Sequence, residues 1–352
     1  MESSLRKIGV LVAQLGTPDS PTAEALRPYL RQFLSDMRVI DYSPFFWQPL
    51  LHAVILRTRP ARSARLYSRI WMKEGSPLLH YSNLQAAGLQ ARLGDDYRVI
   101  VGMRYGNPSI NEAVRTLEGE GIDRIIVLPM FPQYSSTTTA SIYDAVYDAA
   151  AGRRSLLAHE RKRFVPTLRF VEPYYDHPGY IEALRVRVEE TAREVARAWG
   201  APPDKYLITF HGIPDRYIQT GDPYRTQCER TAALLADALA LKPDDWTLSF
   251  QSRFGREEWL QPYTDQTLEA MHHQGIERLL VFSPGFTADC LETLDELGNE
   301  GRQQFVEGGG AAENYCLIPC LNDHPVWLDV MADMVRCDAS GWVTPEIMAL
   351  TV

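Results

Sequence analysis

The sequence contains few cysteines, no long apolar run and no excess of basic residues. Its five cysteines include no CxxC pair and are odd in number, which favours a reducing, cytoplasmic environment. No apolar stretch approaches the roughly 18 residues that a membrane-spanning helix needs, and the apolar run before Gly16 lacks a signal-peptide cleavage site. Lys and Arg total 36 against 45 Asp and Glu, so a net charge of −9 argues against general binding of nucleic acid.

Motifs of several large enzyme classes are also missing. The chain has no GxGxxG fingerprint, no Walker loop and no GxSxG elbow, so neither nucleotide binding nor serine hydrolysis is supported. Hydrophobic residues make up 45% of the chain and charged residues 23%, with 23 Gly and 23 Pro, which is the composition of a globular protein. A length of 352 residues favours two domains.

Short apolar runs recur along the chain, and each is followed by a longer segment with helical periodicity. Continuous apolar strands that alternate with helices are typical of parallel sheets covered on both faces. The pattern therefore predicts an α/β fold. The predicted strands are residues 8–15, 99–103, 124–130, 206–211, 247–250, 278–283 and 316–318.

Three segments of the first half reappear in the second half in the same order. They are LGTPD at 15–19 and HGIPD at 211–215, MRYG at 103–106 and SRFG at 252–255, and GIDRIIV at 121–127 and GIERLLV at 275–281. We interpret them as two similar Rossmann-like domains, each a parallel sheet flanked by helices and joined near residues 148–166. Ligands of such sheets bind beyond the carboxyl ends of the strands, so the active-site cleft is expected between the two domains.

The two halves differ at the strand ends, where chemistry would take place. One wall of the cleft is expected to be apolar and hydroxylic, and the other to carry an imidazole and carboxylates. The corresponding residues are Leu15 and His211, Ser135 and Asp289, Ser136 and Cys290, and Thr138 and Glu292.

Four acids follow the predicted strand at 278–283 at steps of 3, 4 and 4 residues, which places them on one face of a helix. They are Asp289, Glu292, Glu296 and Glu300. No Lys or Arg occurs between Arg278 and Arg302, so the row needs solvent, protons or a cation beside it. His211, at a strand end, suits proton removal or delivery of a transition metal. A solvated helix face and a buried structural histidine remain the alternatives.

A basic segment interrupts this acidic chain. Between Tyr42 and Lys73 there is no acidic residue, and five arginines follow the apolar residues 45–47 and 50–51. Aromatic residues beside arginines suit a flat, apolar, anionic ligand or a membrane surface. The alternative is an amphipathic helix whose arginines lie in water. The arginines are Arg57, Arg59, Arg62, Arg65 and Arg69.

Taken together, these segments resemble the ferrochelatase family, lyases that insert Fe²⁺ into a porphyrin during haem biosynthesis. The resemblance covers nearly the whole chain and is most specific at PQYSSTT (132–138) and DCLETLDEL (289–297). It implies two Rossmann-like halves around a porphyrin cleft, a chelatase-like arrangement, with a C-terminal helix that folds back on the first half. The implied domains are 1–155, with a lip of the cleft at about 42–73, then 156–320 and 321–352.

The resemblance also implies roles for individual residues. The catalytic histidine corresponds to His211 and the active-site glutamate to Glu292, and both are candidate ligands of the metal. Glu296, Glu300 and Asp289 would relay protons or metal. The residues expected to contact the porphyrin are Leu15, Arg104, Phe131, Tyr134, Ser135, Arg57 and Arg62. The chain departs from the family pattern at Gln14, where Asn is usual, at Phe131, where Tyr is common, and at Cys290, where many members carry His.

An apolar residue at position 15 resembles the members that use protoporphyrin IX, whereas members that use coproporphyrin often carry Tyr there. We expect Fe²⁺ as a substrate, no permanently bound cofactor, and no [2Fe-2S] cluster, because only Cys337 lies between Cys320 and the chain end at Val352. We also expect a monomer without nucleic acid, cytoplasmic, with peripheral membrane contact through residues 44–69. The alternatives are a coproporphyrin ferrochelatase, a chelatase that uses cobalt or nickel, and a non-catalytic tetrapyrrole-binding protein.

Overall fold

The computed structural model describes residues 7–152, 161–253, 255 and 257–342. Several sequence predictions lie outside these ranges: Phe254 in the second copy of the repeated motif, the domain boundary between residues 155 and 156, and the chain end at Val352.

The described residues form two four-stranded parallel sheets with the same strand order. In the first sheet the order is β2, β1, β3, β4, and in the second it is β6, β5, β7, β8. Helices flank both sheets, so the predicted α/β fold with two similar Rossmann-like halves is confirmed. The strands are β1 (Ile8–Thr17), β2 (Tyr97–Gly106), β3 (Arg124–Pro129), β4 (Thr167–Phe170), β5 (Lys205–His211), β6 (Trp246–Gln251), β7 (Leu279–Phe282) and β8 (Tyr315–Leu317).

Strand β4 shows that the first sheet continues past the predicted domain boundary. It pairs in parallel with β3, from Arg124 opposite Thr167 to Val127 opposite Phe170. This strand was not predicted, because its four residues are exposed or half-buried and include Arg169. The first sheet therefore ends at Phe170, beyond the residue 155 that the sequence indicated.

The central strands are apolar on both faces because helices cover both sides of each sheet. Val10, Leu11 and Val12 of β1 are all fully buried. Gly16 lies near the end of β1 with φ of 127°, and a Cβ atom there would lie 1.8 Å from the carbonyl oxygen of Tyr105. Glycine is thus required where β1 and β2 approach each other at the cleft.

Helices connect the strands in both halves. The first half contains α1 (Ala23–Leu34), α2 (Pro44–Leu50), a π-helical turn (Leu51–Ile55), α3 (Leu56–Ile70), α4 (Pro77–Leu93), α5 (Ile110–Gly119), a second π-helical turn (Ser136–Ala140) and α6 (Ser141–Ala151). The second half contains α7 (Pro178–Trp199), α8 (Asp215–Gln219), α9 (Tyr224–Ala238), α10 (Thr264–Met271), a π-helix (Glu292–Gly301), α11 (Arg302–Glu307) and α12 (Pro325–Asp338), with short 3₁₀ turns at Pro243–Asp245, His272–Gln274 and Ala312–Asn314. No helix within the described ranges is long and apolar enough to cross a membrane.

Helix α12 lies against helices of both halves. Leu328 packs so closely on α4 that a Cβ atom at Gly88 would lie 2.5 Å from it. Val330 packs near Gly179 at the start of α7. Trp327 is fully buried between these contacts, with its ring near those of Tyr174 and Tyr180.

Candidate active site

The carboxyl ends of the two sheets meet through the segments that follow β3 and β7. The Thr287 hydroxyl donates a hydrogen bond of 3.1 Å to the Met130 carbonyl. Leu291 packs in the same apolar cluster as Leu15, which lies near the end of β1. The strand ends of both halves therefore enclose one cleft, as expected for sheets of this type.

His211 is the last residue of β5 and is available as a neutral base. Its Nδ1 lies 2.6 Å from the Gly212 carbonyl oxygen, so in the neutral ring Nδ1 carries the proton and Nε2 keeps a lone pair. Burial lowers the pKa of His211, and the negative charge of Glu292 offsets part of that effect. The rings of Trp259 and Phe286 flank the imidazole at centroid distances of 6.4 and 6.5 Å.

Glu292 begins the π-helix, which we call the acidic π-helix (Glu292–Gly301). Its backbone carbonyl accepts a hydrogen bond of 3.0 Å from the side chain of Gln251, the last residue of β6. Two neighbouring strand ends, β5 and β6, therefore position His211 and Glu292 respectively. Helices of this kind are rare and occur frequently at functional sites.

Glu296 lies deeper than its sequence position suggests. Its carboxylate accepts a hydrogen bond of 2.6 Å from the Ser252 hydroxyl. Burial raises the pKa of Glu296 to about 7, against a smaller lowering effect of that hydrogen bond. Ser252 adopts a left-handed conformation, with φ of 69°, directly after β6. A non-glycine residue held in this region stores strain that the surrounding structure must balance.

Glu300 lies at the exposed end of the acidic π-helix and pairs with a cation from the first half. The guanidinium of Arg69 on α3 lies 3.2 Å from Glu300 and 2.9 Å from Asp295. The carboxylate of Asp295 is only 2% exposed. Arg69 thus supplies the positive charge that the sequence lacks between Arg278 and Arg302.

Asp289 does not lie on the acidic π-helix, although the helical spacing predicted that it would, and its role in a relay stays a prediction. It is buried before the helix, and its carboxylate accepts hydrogen bonds from the Asn322 side chain (2.7 Å), the Thr293 hydroxyl (3.0 Å) and the Cys320 amide (3.3 Å). These donors occupy both carboxylate oxygens. Asp289 therefore fixes the turn that leads into the helix, whereas the α-helical spacing placed it on the same face as Glu292.

Residues of the first half form the opposite side of the cleft. Leu15 is half-buried among apolar side chains, and its amide donates a hydrogen bond to the side chain of Gln14. Phe131 is buried in a cluster that Leu15 also contacts. This wall is apolar, as the comparison of the two halves predicts.

The segment after β3 is tied to the second half at Asp222. The carboxylate of Asp222 accepts hydrogen bonds from the Ser135 hydroxyl (3.1 Å) and the Ser136 amide (2.7 Å). The Tyr134 amide donates to the Gln227 side chain at 2.6 Å. Burial raises the pKa of the Tyr134 phenol. Tyr134 and Ser135 therefore lie where the two halves meet.

Arg104 takes part in a network that the sequence analysis did not find. Its guanidinium donates to the Ser141 hydroxyl at 2.6 Å and to the Asp36 carboxylate at 2.5 Å, and the Tyr105 hydroxyl donates to the same carboxylate. Burial acts to raise the pKa of Asp36, but hydrogen bonding from Ser141 and the charge of Arg104 bring it below its usual value. The charge of Arg104 is therefore balanced within the protein.

Two of the predicted porphyrin-binding arginines lie on the exposed surface of α3. Arg57 is exposed and lies beside Arg27 and Arg31 of α1, and Arg62 is also exposed. Arg59, which was not among the residues predicted to contact the porphyrin, is the arginine that turns inward. Burial lowers its pKa, and its charge interacts with the buried Tyr29 and with Arg62.

Sequence reasoning also missed several apolar and aromatic neighbours of the site. Tyr29 and Tyr67 are buried, and Glu292 contributes to the raised pKa of both phenols after the larger effect of burial. Helical periodicity in α1 and α3 could have placed them inside, but not beside Glu292. Trp259 lies in an irregular segment, and no sequence pattern pointed to it. Within the described ranges, no three His, Cys, Asp or Glu side chains are arranged to hold a metal ion.

Comparison with known proteins supports the same interpretation. The family model described as Ferrochelatase matches residues 7–339. Ferrochelatases from Azoarcus sp. and Alcanivorax borkumensis are 47% and 46% identical to this chain, over 97% and 96% of it and over 90% and 96% of their own lengths. The ferrochelatase of Marinobacter nauticus is 43% identical over 97% of this chain and 89% of its own length.

Among solved structures, SirB from Bacillus subtilis with Fe³⁺ has a similar fold, with a TM-score of 0.54 and 12% identity over 95% of this chain and 96% of SirB. That likeness concerns the fold alone. The matches to the family model and to full-length relatives, together with the cleft described above, show that this chain belongs to the ferrochelatase family.

Proposed function

We propose that this chain inserts Fe²⁺ into protoporphyrin IX to form protohaem, with release of two pyrrole protons. The observation that carries the proposal is a half-buried, neutral imidazole at the end of β5, next to a carboxylate row that leads to the surface. Membership of the ferrochelatase family supports the reaction. The half-buried apolar side chain of Leu15 supports a porphyrin with vinyl groups.

The reaction needs a base because the free porphyrin holds two protons on its pyrrole nitrogen atoms. A planar ring also shields these nitrogen atoms from the metal. The protein must bend the ring, and the binding energy of the remote parts of the macrocycle supplies this strain, ~1 to 5 kcal/mol if typical substrate distortion applies. Nε2 of His211 then accepts the two pyrrole protons one after the other, since Nδ1 is already hydrogen-bonded to Gly212, and passes the first to the acidic π-helix before it accepts the second.

The acidic π-helix offers a route for the proton and the metal. Imidazole and carboxylate are both ligands of Fe²⁺, so we propose His211 and Glu292 as ligands of the incoming substrate metal. Because Nε2 is the only free lone pair of the His211 ring, His211 accepts a proton only while it does not hold the metal. Glu296, with a pKa of about 7, gains and loses a proton near neutral pH. Glu300 at the exposed end would exchange with solvent.

The test is an anaerobic titration of the purified full chain with protoporphyrin IX and Fe²⁺, followed by the absorption spectrum. We expect the free-base spectrum to convert to that of the iron porphyrin with multiple turnovers. Coproporphyrin serves as the competing substrate, and a higher kcat/KM for it would overturn the substrate assignment. Porphyrin binding without metal insertion would favour the non-catalytic binding protein.

We also propose that the lip contacts a membrane peripherally, through Phe45 and Phe46. These side chains are 81% and 76% exposed on α2, and Leu50 and Val54 are about half exposed. The prediction included Trp47, but its indole nitrogen donates a hydrogen bond of 2.6 Å to the Leu34 carbonyl, so Trp47 holds the lip onto α1. Cytoplasmic location and a monomeric state remain predictions from the sequence.

Replacing Phe45 and Phe46 by serine should release the protein from vesicles without unfolding it, since neither ring is buried. Co-sedimentation with vesicles measures the release. Unchanged co-sedimentation would remove α2 from the proposed contact.

A further inference from the structure

A groove of about 490 Å³ lies between α1 and the start of α3, on the outer side of the lip. Its floor is apolar, and basic side chains surround it. We call it the basic groove, and it is lined by Arg27, Pro28, Arg31, His52, Leu56 and Arg57.

Within the described ranges, no carboxylate neutralises the guanidinium groups of the basic groove. Nε of Arg27 donates a hydrogen bond of 3.2 Å to the Leu56 carbonyl, which fixes the orientation of this side chain. Arg27, Arg31 and Arg57 have no carboxylate partner among the described residues, whereas Arg38, Arg69 and Arg104 each pair with an Asp or Glu. In a chain with a net charge of −9, a groove with this concentration of unpaired positive charge is suited to an anion.

The basic groove is separate from the catalytic cleft. Tyr29 points inward, and its hydroxyl lies 3.4 Å from the carbonyl of Gly16 at the end of β1. Arg27 and Arg31 are each two residues from Tyr29, which is about 200° around a helix of 3.6 residues per turn. Arg57 and Arg59 are also two residues apart, on α3, and the charge of Arg59 interacts with Tyr29. The groove therefore opens on the opposite face of α1 from the strand ends.

An exposed apolar surface adjoins the groove on the same helical segment. Residues 44–70 form one continuous run of helix. Along this run the exposed residues change from apolar to basic, from Phe46 through Leu50 and Val54 to Arg57. Apolar side chains beside arginines are the arrangement of a helix that lies in the interface of an anionic bilayer.

We infer that the basic groove binds the phosphate of an anionic lipid headgroup while Phe46, Leu50 and Val54 enter the bilayer interface. The inference rests on the proposed membrane contact and names its lipid class. Guanidinium groups bind phosphate oxygens through paired, charge-assisted hydrogen bonds. The apolar residues next to the groove favour a phosphate carried by a lipid over a free phosphate ion.

The experiment compares vesicles of phosphatidylcholine alone with vesicles of equal parts phosphatidylcholine and phosphatidylglycerol. We expect the unaltered protein to bind the anionic vesicles more tightly. The double variant Arg27→Gln/Arg31→Gln should lose about 25-fold in this affinity, because one arginine near an anionic surface contributes about fivefold. Arg65→Gln is the matched control, an exposed arginine of α3 outside the groove, and should change the affinity less than the single variant Arg31→Gln.

Several outcomes would overturn the inference. If the Phe45→Ser/Phe46→Ser variant leaves the vesicles but Arg27→Gln/Arg31→Gln does not, the membrane contact stands and the headgroup site falls. If the unaltered protein binds neither vesicle, both proposals fall. Millimolar inorganic phosphate distinguishes a lipid headgroup from the free ion as the ligand of the groove. Displacement of the protein from anionic vesicles by phosphate, at matched ionic strength, would assign the groove to the free ion. Zinc insertion into porphyrin in detergent should be equal in the arginine variants and the unaltered protein.

Discussion

His211 is the residue whose role the sequence indicated most directly, because it ends a strand where the first half has Leu15. Its neighbours could not be predicted, since the proximity of the Trp259 ring and the burial of the imidazole depend on folding. We expect His211→Ala to reduce metal insertion by about 100-fold or more, in line with the loss of a general base. Porphyrin affinity should remain within about tenfold, because apolar contacts hold most of the ring.

Insertion of zinc, followed by fluorescence of the zinc porphyrin, measures the effect of His211→Ala, and quenching of protein fluorescence measures porphyrin binding. Turnover near that of the unaltered enzyme would exclude His211 as the base. A parallel loss of porphyrin affinity would instead indicate that the imidazole acts mainly by packing.

Glu296 should give the enzyme a pH-dependent step near neutrality. Burial raises its pKa to about 7, so the carboxyl is protonated below that pH and cannot accept a proton, and is ionised above it. Turnover should therefore rise with pH through about 7 and then level off. In Glu296→Gln this step should be absent from the profile of kcat against pH.

Ser252→Gly offers a sharper test, because glycine tolerates the left-handed backbone at this position. The variant removes the hydroxyl that stabilises the ionised carboxylate of Glu296, so the midpoint should move to higher pH. A midpoint that moves to lower pH, or does not move, would show that another group titrates.

At the scale of elements, the acidic π-helix shows what periodicity can and cannot predict. The spacing of Glu292, Glu296 and Glu300 predicted one helical face, and these residues do share one helix. Their environments differ widely, since Glu296 meets Ser252 and Glu300 meets Arg69. The spacing of residues along the chain predicts which of them share a helix face. It does not predict that a cation from a distant helix contacts that face, and Arg69 is 231 residues from Glu300.

Arg69 should weaken metal capture by reducing the negative charge at the outer end of this helix. We expect Arg69→Gln to lower the KM for Zn²⁺ about two- to fivefold at low ionic strength. Removal of one nearby positive charge should make the free energy of metal binding more favourable by about 1 kcal/mol under these conditions. The difference should shrink in high salt. Steady-state kinetics at two ionic strengths, with Arg65→Gln as control, measure it.

An unchanged or higher KM for the metal in Arg69→Gln would indicate that the ion pair only joins α3 to the acidic π-helix. Thermal unfolding should accompany the kinetics, since Arg69 also binds the buried carboxylate of Asp295. A large loss of stability without a change in KM would support that structural role.

At the scale of the whole molecule, the repeated motifs predicted the duplicated architecture. Strand order 2-1-3-4 recurs exactly in the second sheet, with β5 to β8 in place of β1 to β4. The boundary was harder to predict, because β4 lies after the connecting segment and has no continuous apolar run. Folding also places neighbouring arginines of the basic segment in different environments, since Arg59 turns inward and Arg57 lines the basic groove.

Helix α12 should hold the halves together through Trp327. We expect Trp327→Ala to lower the free energy of unfolding by about 3 to 5 kcal/mol, the range for a large buried aromatic residue. Asp333→Ala, on the exposed face of the same helix, is the control and should stay within about 0.5 kcal/mol. Urea unfolding measures both, and equal effects of the two substitutions would contradict the packing of α12.

The hydrogen bonds of Asp222 to Ser135 and Ser136, and of Thr287 to Met130, have a consequence for the kinetics of turnover. Because they join the two walls of the cleft at its base, a hinge rotation of one half against the other would have to break them. The exposed side chains of the lip, Phe45 and Phe46, can move without breaking these bonds. Haem should therefore leave past these side chains, so that solvent viscosity and lipid composition affect the release step, whereas the pH dependence of kcat reports the proton-transfer step.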